Sequence, residues 1–557
     1  MHGMTNTLDI ALAQLNPTVG DVTNNIDRLR RARVEAADEG AELIVSGELF
    51  VSGYPPEDLV LKGAFQDHIA KSVEAFAKET ADGGPAILLG VPWRFDGKLY
   101  NAVLLLDGGA ITETRLKYDL PNYGVFDEKR VFHAGPLPEP IVFRGVSLGV
   151  MVCEDMWTPS VSKHLKESGA QILIVMNGSP FEVDKTHMRQ QFASNRVSET
   201  SLPLTYVNLV GGQDELVFDG ASFVMDAAGA LQARMPAWSE SVVLTHWQSK
   251  NGNDWHCDPI PSDPPLERLE NIYHAMVMGL RDYVNKSHFP GVLIGMSGGI
   301  DSAISAAVAV DALGPDRVHC VMMPSPYTSQ ESLDDAAEAT ELLGVKLDSI
   351  SIEPAMGAFD TMLSGVFAGQ DKDTTEENVQ ARARGITLMA MSNKLGYMVL
   401  STGNKSEMSV GYATLYGDMC GGYSVLKDIY KTTVYKLSHW RNKIYLAGLM
   451  GPEGRVIPER IITKAPSAEL KPDQTDQDSL PPYDELDAIL HALIEEELAL
   501  KDIVANGHDA AIVEKIWRML DRAEYKRRQA PPGVKITARA FGRDRRYPIT
   551  NGFTGTK

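Results

Sequence analysis

The sequence is poor in cysteine and has no long apolar run. Of 557 residues, the cysteines are Cys153, Cys257, Cys320 and Cys420. Their spacing matches no metal or redox motif, so we expect a reduced, cytoplasmic protein without structural disulfides. No apolar run approaches the ~18 residues that a membrane-spanning helix needs. The N-terminus lacks the basic and apolar regions of a signal peptide, so we expect no membrane association.

Positive charge is also scarce. The chain has 53 Lys and Arg against 74 Asp and Glu, a net charge of −21. That balance argues against general binding to nucleic acid or acidic lipid. The exception is residues 521–550, where basic residues outnumber acidic ones. This segment either contacts an anionic ligand or is a solvated tail or subunit contact.

Proline clusters at one place and divides the chain. Four prolines fall within 259–265 and exclude a regular helix there. We predict a first domain over 1–250, a linker over 251–267 and a second domain over 268–557. Both domains alternate β-branched runs with amphipathic stretches, which indicates an α/β fold in each, with a doubly wound parallel sheet in the second. Predicted strands lie at Thr7–Gln14, Leu43–Val45, Ala86–Gly90, Asn101–Leu106, Val146–Val152, Ile172–Val175, Leu204–Val210, Gly291–Met296, Val318–Met323, Lys346–Ile352 and Tyr397–Ser401.

The most informative stretch is Gly295–Ser302, which reads Gly-Met-Ser-Gly-Gly-Ile-Asp-Ser. An apolar run leads into it and a helix-forming run follows. This strand–turn–helix arrangement points backbone N–H groups and the positive end of a helix dipole at one place, where an anion would bind. It has no Lys before its last Ser and is therefore not a Gly-x-x-x-x-Gly-Lys-Ser phosphate loop. The alternative is a plain glycine turn. Ser297, Asp301 and Ser302 together favour an anion site.

Three residues of the first half stand where chemistry is expected. Cys153 follows an apolar strand, and a thiol at a strand end is well placed as a nucleophile. It needs a base to remove its proton and a cation to stabilise an oxyanion, and Glu48 and Lys117 are of those types. A buried cysteine is also common as packing, so spacing alone leaves both interpretations open.

A family resemblance separates these interpretations. Val45-Ser-Gly-Glu48, Leu116-Lys117 and Val152-Cys153-Glu154-Asp155 resemble, in that order, the nitrilase (carbon–nitrogen hydrolase) superfamily. The resemblance implies a four-layer α-β-β-α sandwich in which Cys153 attacks an amide carbon, forms a thioester and releases ammonia. It also implies an L-glutamine pocket formed by Tyr123, Glu128, Ser179 and Lys185. The alternative for Glu128 is that it orients Lys117.

The second half resembles two related families. Ser-Gly-Gly-Ile-Asp-Ser at 297–302 is similar to the pyrophosphate loop of the N-type ATP pyrophosphatases. Together with Thr402-Gly-Asn-Lys-Ser-Glu407 and Tyr416-Gly-Asp418, it resembles NAD⁺ synthetases, and the nitrilase-like half indicates the glutamine-dependent form. This resemblance implies ATP-dependent amidation of deamido-NAD⁺ through an adenylate, with ammonia supplied by the first domain. It also implies a homo-oligomer.

The same resemblance implies three sets of binding residues. ATP would be bound by Gly295, Met296, Ser297, Gly298, Gly299, Ile300, Asp301, Ser302, Thr402 and Lys431. Mg²⁺ would be held by Asp301 and Glu407, since carboxylate oxygen suits a hard cation. Deamido-NAD⁺ would be contacted by Asn378, Arg382, Glu407 and Lys526. Leu415 stands where the ammonia-dependent synthetases often have Lys, which places a direct Lys contact there in doubt.

Two other functions match part of the sequence. One is a different pyrophosphate-loop amidotransferase acting on a nucleotide base or an amino-acid carboxylate, but such enzymes use another glutaminase fold. The other is a nucleotide-binding regulator with an inactive hydrolase domain. The complete set of Glu48, Lys117 and Cys153 argues against that regulator.

Overall fold

The chain folds as two units, Met1–Leu266 and Glu267–Lys557. The computed structural model describes residues 6–262, 264–471 and 474–553. Within those ranges, no helix is long and apolar enough to cross a membrane.

The first unit contains two mixed sheets and a hairpin. Its strands are β1 (Asn6–Gln14), β2 (Leu43–Val45), β3 (Ala86–Phe95), β4 (Lys98–Asp107), β5 (Ala110–Leu116), β6 (Ile141–Phe143), β7 (Val146–Val152), β8 (Ile172–Asn177), β9 (Leu204–Asn208), β10 (Val210–Gln213), β11 (Leu216–Asp219), β12 (Phe223–Met225), β13 (Leu231–Arg234), β14 (Ser241–Ser249) and β15 (His256–Cys257). The strand order is β15-β14-β1-β2-β3-β4-β5 in one sheet and β13-β12-β9-β8-β7-β6 in the other. Strands β10 and β11 form the hairpin.

Helices cover the outer face of each sheet. They are α1 (Val22–Asp38), α2 (Gly63–Glu79), α3 (Glu128–Val131), α4 (Pro159–Glu167) and α5 (Lys185–Thr200). In β1, Ile10 packs in the core between the sheets, whereas Ala11 packs under α1 and α2. A third core lies between the second sheet and helices α4 and α5, where Val161 and Val197 are buried. Successive residues of a strand thus face different cores, and the predicted four-layer α-β-β-α sandwich is confirmed.

The structure differs from the prediction at the end of this unit. His256–Cys257 form β15, which pairs antiparallel with β14. Trp255 and Cys257 are buried in the core between the two sheets. The segment predicted as a linker, 251–267, therefore includes residues of the first unit. The polar residues around His256–Cys257 give no strand pattern, so the sequence does not predict this short edge strand.

The second unit is built on a parallel sheet. Its strands are β16 (Val292–Gly295), β17 (Val318–Met322), β18 (Lys346–Ser349), β19 (Met398–Ser401) and β20 (Tyr423–Ser424). All neighbouring strands are parallel, in the order β18-β17-β16-β19-β20. The chain builds outward from β16 to β18 and then returns to β19 on the other side. The predicted doubly wound sheet is confirmed, with its switch point between β16 and β19.

The helices of the second unit connect and flank this sheet. They are α6 (Arg268–Lys286), α7 (Ile300–Leu313), α8 (Gln330–Leu343), α9 (Glu353–Leu363), α10 (Thr374–Leu395), α11 (Lys405–Val410), α12 (Lys431–Arg441), α13 (Glu459–Thr463), α14 (Tyr483–Ile494), α15 (Leu500–Ala505), α16 (Ala510–Arg522) and α17 (Glu524–Arg527). Leu486, Ile503 and Ile516 of α14–α16 form a core with Met408 of α11. Helix α11 is therefore supported from behind by the C-terminal helices.

Candidate active sites

Cys153 lies in a sharp turn directly after β7. Its φ is +42°, an uncommon value for a residue with a side chain, and it begins a 3₁₀ turn over Cys153–Met156. The Asp155 carboxylate accepts the N–H of Val152 at 2.9 Å, of Tyr118 at 3.2 Å and of Asp119 at 2.8 Å. Asp155 thus ties the turn to the segment that carries Lys117. Burial raises the pKa of Asp155 to about 7.

Lys117 lies between two buried carboxylates. Its Nζ donates to Glu48 Oε1 at 2.7 Å and to both oxygens of Glu128 at 2.9 Å. Glu48 is fully buried and also accepts from Asn101 Nδ2 at 2.8 Å and from the Gly178 N–H at 2.9 Å. Of the three predicted catalytic residues, Lys117 and Glu48 are therefore in direct contact, with the ammonium of one against the carboxylate of the other.

The charges of this cluster act on one another. Burial raises the pKa of the Cys153 thiol well above its usual range, Glu48 raises it further, and Lys117 opposes both. Burial alone lowers the pKa of Lys117, but Glu128 and Glu48 outweigh burial and hold that pKa well above the usual range. Burial raises the pKa of Glu128 to about 7, although Lys117 pulls it down. The resting cluster therefore contains a thiol and a charged ammonium.

Two of the residues predicted to bind glutamine border this cluster. The Tyr123 hydroxyl donates to the Glu154 carboxylate at 2.9 Å, and Tyr123 is 54% exposed. Lys185 Nζ lies 5.5 Å from the centre of the Phe126 ring and 5.8 Å from that of Trp157. Tyr123 and Lys185 thus place a hydroxyl and a cation near the carboxylate of Glu154, the residue that follows Cys153 in the chain.

The other two predicted residues are deeper. Glu128 contacts Lys117, as the alternative interpretation expects. Ser179 is buried, its N–H donates to Asn208 Oδ1 at 2.9 Å, and its Oγ accepts from Arg189 Nε at 3.1 Å. Arg189 also pairs with Asp219 at 2.6 Å. Ser179 is therefore fixed by the protein itself.

The glycine loop of the second unit follows β16 at the switch point. Gly298 has a φ of +79°, and a Cβ there would lie 2.3 Å from the Ser332 carbonyl oxygen. A glycine is required at this position for both reasons. Ser302 Oγ donates to the Gly299 carbonyl at 2.9 Å and lies 3.2 Å from Ser297 Oγ. The two hydroxyls therefore meet inside the loop.

A cavity of about 290 Å³ opens at the carboxyl ends of β16 and β19. Every residue predicted to bind ATP lines it: Gly295, Met296, Ser297, Gly298, Gly299, Ile300, Asp301, Ser302, Thr402 and Lys431. Met296 differs in one respect, because its N–H donates to the Val321 carbonyl at 2.8 Å and is engaged in the sheet. The position agrees with the rule that open α/β sheets bind ligands at a switch point.

The two predicted metal ligands meet at one lysine. Lys431 Nζ donates to Asp301 and to Glu407 Oε1, the latter at 3.1 Å. Burial and the Asp301 charge raise the pKa of Glu407 to about 7, although Lys431 pulls it down. Among the residues described, no three Asp, Glu, His or Cys side chains form a metal-binding group. A pair of carboxylates beside the glycine loop fits Mg²⁺, which takes its remaining ligands from phosphate and water.

Three residues predicted to contact deamido-NAD⁺ meet at the segment 411–418. Thr414 Oγ1 donates to Asn378 Oδ1 at 2.9 Å, and Arg382 Nε donates to the Leu415 carbonyl at 3.2 Å. Lys526 Nζ donates to the carbonyls of Gly411 and Ala413, at 2.8 and 2.7 Å. The fourth predicted residue, Glu407, lies in the cavity instead. The structure therefore brings together Asn378, Arg382 and Lys526 around one segment, residues 412, 413, 417 and 418 of which line the cavity.

Comparison with known proteins covers both units. The carbon–nitrogen hydrolase family model matches residues 9–256, and the NAD synthase family model matches residues 272–530. The glutamine-dependent NAD⁺ synthetase of Rhodobacter capsulatus is 48% identical over 548 residues, covering 98% of this chain and 99% of that protein. The chain belongs to the glutamine-dependent NAD⁺ synthetase family.

Other members agree with this assignment. The glutamine-dependent NAD⁺ synthetase of Acinetobacter baylyi is 45% identical and covers 98% of each chain. The structure of the Acinetobacter baumannii glutamine-dependent NAD⁺ synthetase in complex with ADP matches with a TM-score of 0.78 and 43% identity, covering 99% of this chain and 100% of that one. Family membership favours NAD⁺ synthesis over the pyrophosphate-loop amidotransferases considered as an alternative.

Several contacts in these family sites involve residues that the sequence prediction did not single out. Asp155 holds the turn that begins at Cys153, Asn101 contacts Glu48, and Asn404 contacts Asp301. Asn404 carries a sequence signal, because an Asn followed three residues later by Glu407 is typical of a helix N-terminus. Asn101 carries none, since a strand residue gives no indication of its partner 53 residues away.

Glu128 can be tested as a positioning residue of the family's hydrolase site. We expect Glu128→Gln to lower the rate of glutamine hydrolysis by about 10- to 100-fold, because Lys117 would keep only one carboxylate partner. The wild-type rate should fall below pH 7 as Glu128 takes up a proton, since burial raises its pKa to about 7. The variant should lose the part of that limb that comes from Glu128, whereas Asp155, whose pKa burial also raises to about 7, titrates in both proteins.

A matched control comes from the same contact network. Tyr54 donates to Glu128 Oε1 at 3.2 Å, so Tyr54→Phe removes one neutral hydrogen bond and leaves the charge in place. It should keep the pH limb. An unchanged pH profile in Glu128→Gln would show that Glu128 acts through packing alone.

Proposed function

We propose that this chain converts deamido-NAD⁺ to NAD⁺ with ATP and L-glutamine, releasing AMP, pyrophosphate and glutamate. The observation that carries the proposal is the presence of two complete sites in one chain. One is the cluster of Cys153, Glu48 and Lys117, and the other is the phosphate-loop cavity with Asp301 and Lys431. The names of the full-length relatives support the same reaction.

The first unit releases ammonia from glutamine. Glu48 takes the Cys153 proton as the sulfur attacks the side-chain amide carbon. Lys117 stabilises the oxyanion, and its elevated pKa keeps it charged. Glu48 then gives the proton to the departing nitrogen, leaving a thioester on Cys153. Water, with Glu48 as base, hydrolyses this thioester to glutamate and restores the thiol.

Glutamine is recognised by groups beside Cys153. Its α-carboxylate needs a cation, and Lys185 supplies one at the edge of the cluster. Its α-ammonium needs an acceptor, which the Glu154 carboxylate and the Tyr123 hydroxyl provide. Ser179 and Glu128 are the buried residues of this pocket. Arg189 holds the Ser179 hydroxyl and Lys117 holds the Glu128 carboxylate.

The second unit activates the substrate carboxylate. Ser297, Ser302 and the turn around Gly298 hold the pyrophosphate portion of ATP, and Thr402 and Lys431 contact the nucleotide. Mg²⁺, when bound by Asp301 and Glu407, would supply neutralisation of phosphate charge. Asn378, Arg382 and Lys526 orient deamido-NAD⁺ so that its nicotinate carboxylate attacks the α-phosphorus and pyrophosphate leaves.

Ammonia completes the reaction on the resulting acyl adenylate. The neutral molecule attacks the acyl carbon, because ammonium has no lone pair. The tetrahedral intermediate loses a proton and expels AMP, and the nicotinamide remains. The cavity must keep water from this adenylate, since hydrolysis would return the starting carboxylate and waste ATP.

The reaction is tested by following AMP. Purified protein with MgATP and glutamine should form AMP and NAD⁺ together, in equal amounts, only when deamido-NAD⁺ is present. Glutamine hydrolysis without AMP would support the first unit's role and require a different acceptor for the second. AMP without NAD⁺ would refute the proposed acceptor chemistry.

The assembly state belongs to the proposal as well. We expect a homo-oligomer, as the family resemblance implies. Light scattering on the purified protein at several concentrations measures the mass directly. A monomer at all concentrations would contradict this part.

A further inference from the structure

Asn404 bonds the carboxylate of Asp301 and the backbone of Glu407, two residues that line the nucleotide cavity. It is fully buried and is the N-cap of α11. Its Oδ1 accepts the backbone N–H of Glu407 at 2.9 Å, and its Nδ2 donates to Asp301 Oδ1 at 3.0 Å. One amide therefore links the helix that carries Glu407 to the helix that carries Asp301.

This link closes a ring of contacts. Asp301 accepts from Lys431, Lys431 donates to Glu407 at 3.1 Å, and Asn404 joins Glu407 back to Asp301. Asn404 is the neutral member of the ring. Its amide satisfies a helix N-terminus with one end and a carboxylate with the other, so both ends of the side chain are fixed.

The ring must change when a nucleotide binds. Lys431 has a long, flexible side chain, and its ammonium can pair with a nucleotide phosphate instead of with Asp301 and Glu407. Without that ammonium between them, the two carboxylates repel each other. The Asn404 side chain is short, and its contacts do not depend on Lys431. Asn404 bonds Asp301 Oδ1 whereas Lys431 bonds Oδ2, so we expect Asn404 to keep Asp301 against α11 if Lys431 turns toward a nucleotide.

We propose that Asn404 is a positioning residue that sets the separation of Asp301 and Glu407 and thereby determines how tightly the nucleotide site takes up a divalent cation. This inference rests on the proposed function of the second unit. Asn404 itself contacts no reacting group. Its effect is transmitted by one hydrogen bond to Asp301 and one to the helix of Glu407.

The two bonds can be separated by substitution. Asn404→Ser keeps an oxygen for the N-cap, but its shorter side chain ends before Asp301. Asn404→Ala loses both bonds. Asp509, the N-cap of α16, accepts the N–H groups of Ala511 and Ile512 away from the cavity. Asp509→Ala therefore removes an exposed N-cap from the same unit and serves as the control for loss of a cap.

The experiment measures cation binding without turnover. Mn²⁺, as a probe for Mg²⁺, is titrated into the full-length protein with α,β-methylene-ATP, and free Mn²⁺ is followed by electron paramagnetic resonance. We expect Asn404→Ser to weaken Mn²⁺ binding about tenfold with little change in melting temperature. Asn404→Ala should show the same weakening and a lower melting temperature. Asp509→Ala should lower the melting temperature and bind Mn²⁺ as the wild type does.

The outcomes separate positioning from stability. If Asn404→Ser binds Mn²⁺ as tightly as the wild type, the inference is overturned. It is also overturned if Asp509→Ala weakens binding as much, because loss of any cap would then suffice. Since the titration needs no deamido-NAD⁺ and no product, a failure of the proposed reaction appears separately, as absence of AMP in the wild type.

Discussion

Replacing Cys153 with alanine should abolish glutamine hydrolysis and glutamine-driven NAD⁺ synthesis while leaving synthesis from ammonium salts intact. We expect the hydrolysis rate to fall by about 10⁴-fold or more, as when the nucleophile of a catalytic triad is removed. Ammonium chloride should rescue NAD⁺ formation, and more strongly at high pH, because deprotonation supplies neutral ammonia. Parallel assays of glutamate and NAD⁺ measure the two activities.

Cys257→Ala is the matched control for this variant. Cys257 is also a buried thiol of the first unit and packs in the same core between the sheets, but it lies on the edge strand β15, where its Sγ donates to the Asp258 carbonyl at 3.3 Å. It should keep glutamine-driven synthesis, with at most a modest loss of stability from the missing sulfur. Equal loss of glutamine-driven and ammonia-driven synthesis in Cys153→Ala would contradict the division of labour between the units.

The architecture was predictable wherever apolar periodicity is strong. The prediction of Val146–Val152 agrees with β7, because both faces of this strand are buried and the run is continuous. The run at 204–210 was predicted as one strand, but the structure ends β9 at Asn208 and begins β10 at Val210. Asn208 donates to the carbonyls of Ser179 and Gly220, and these distant partners are absent from the local pattern.

Some helix ends are marked in the sequence by capping residues rather than by apolar periodicity. The amphipathic run over 379–395 predicts a helix, but the structure begins this helix, α10, at Thr374. The Asp373 side chain caps the helix, and the Glu376 carboxylate accepts the backbone N–H of Asp373. This is the capping-box pattern. Helices α14–α16 were not predicted individually, although their apolar residues form a core of their own. Their packing against α11 depends on long-range contacts that a local pattern does not contain.

The candidate sites also contain residues that the sequence predicts and residues that it does not. Motifs predict the groups proposed here to carry the chemistry, because a nucleophile, a phosphate-binding turn and paired carboxylates each need particular residue types at fixed positions. They did not identify what holds these groups in place. Asp155 and Asn404 act through hydrogen bonds to segments 36 and 103 residues away, as in the bonds to Asp119 and Asp301. Such partners become apparent only when the fold brings the segments together.

Glu407→Gln should stop AMP formation while leaving glutamine hydrolysis unchanged. The amide is the same size and still accepts from Lys431, so the local packing survives. It removes one of the two carboxylates that face Lys431 in the cavity, and a hard cation binds a neutral amide more weakly than a carboxylate. We expect the rate of AMP formation to fall by about 10²- to 10³-fold, as when one preorganised electrostatic group is lost.

Glu353→Gln removes the same charge from an exposed position in the first turn of α9 and should leave both activities intact. The comparison matters because net charge alone affects how an anionic nucleotide approaches the protein. Wild-type rates of AMP formation in Glu407→Gln would mean that Asp301 and phosphate oxygens alone hold the cation. The ring of Asp301, Asn404, Glu407 and Lys431 would then serve to balance buried charge rather than to position a metal.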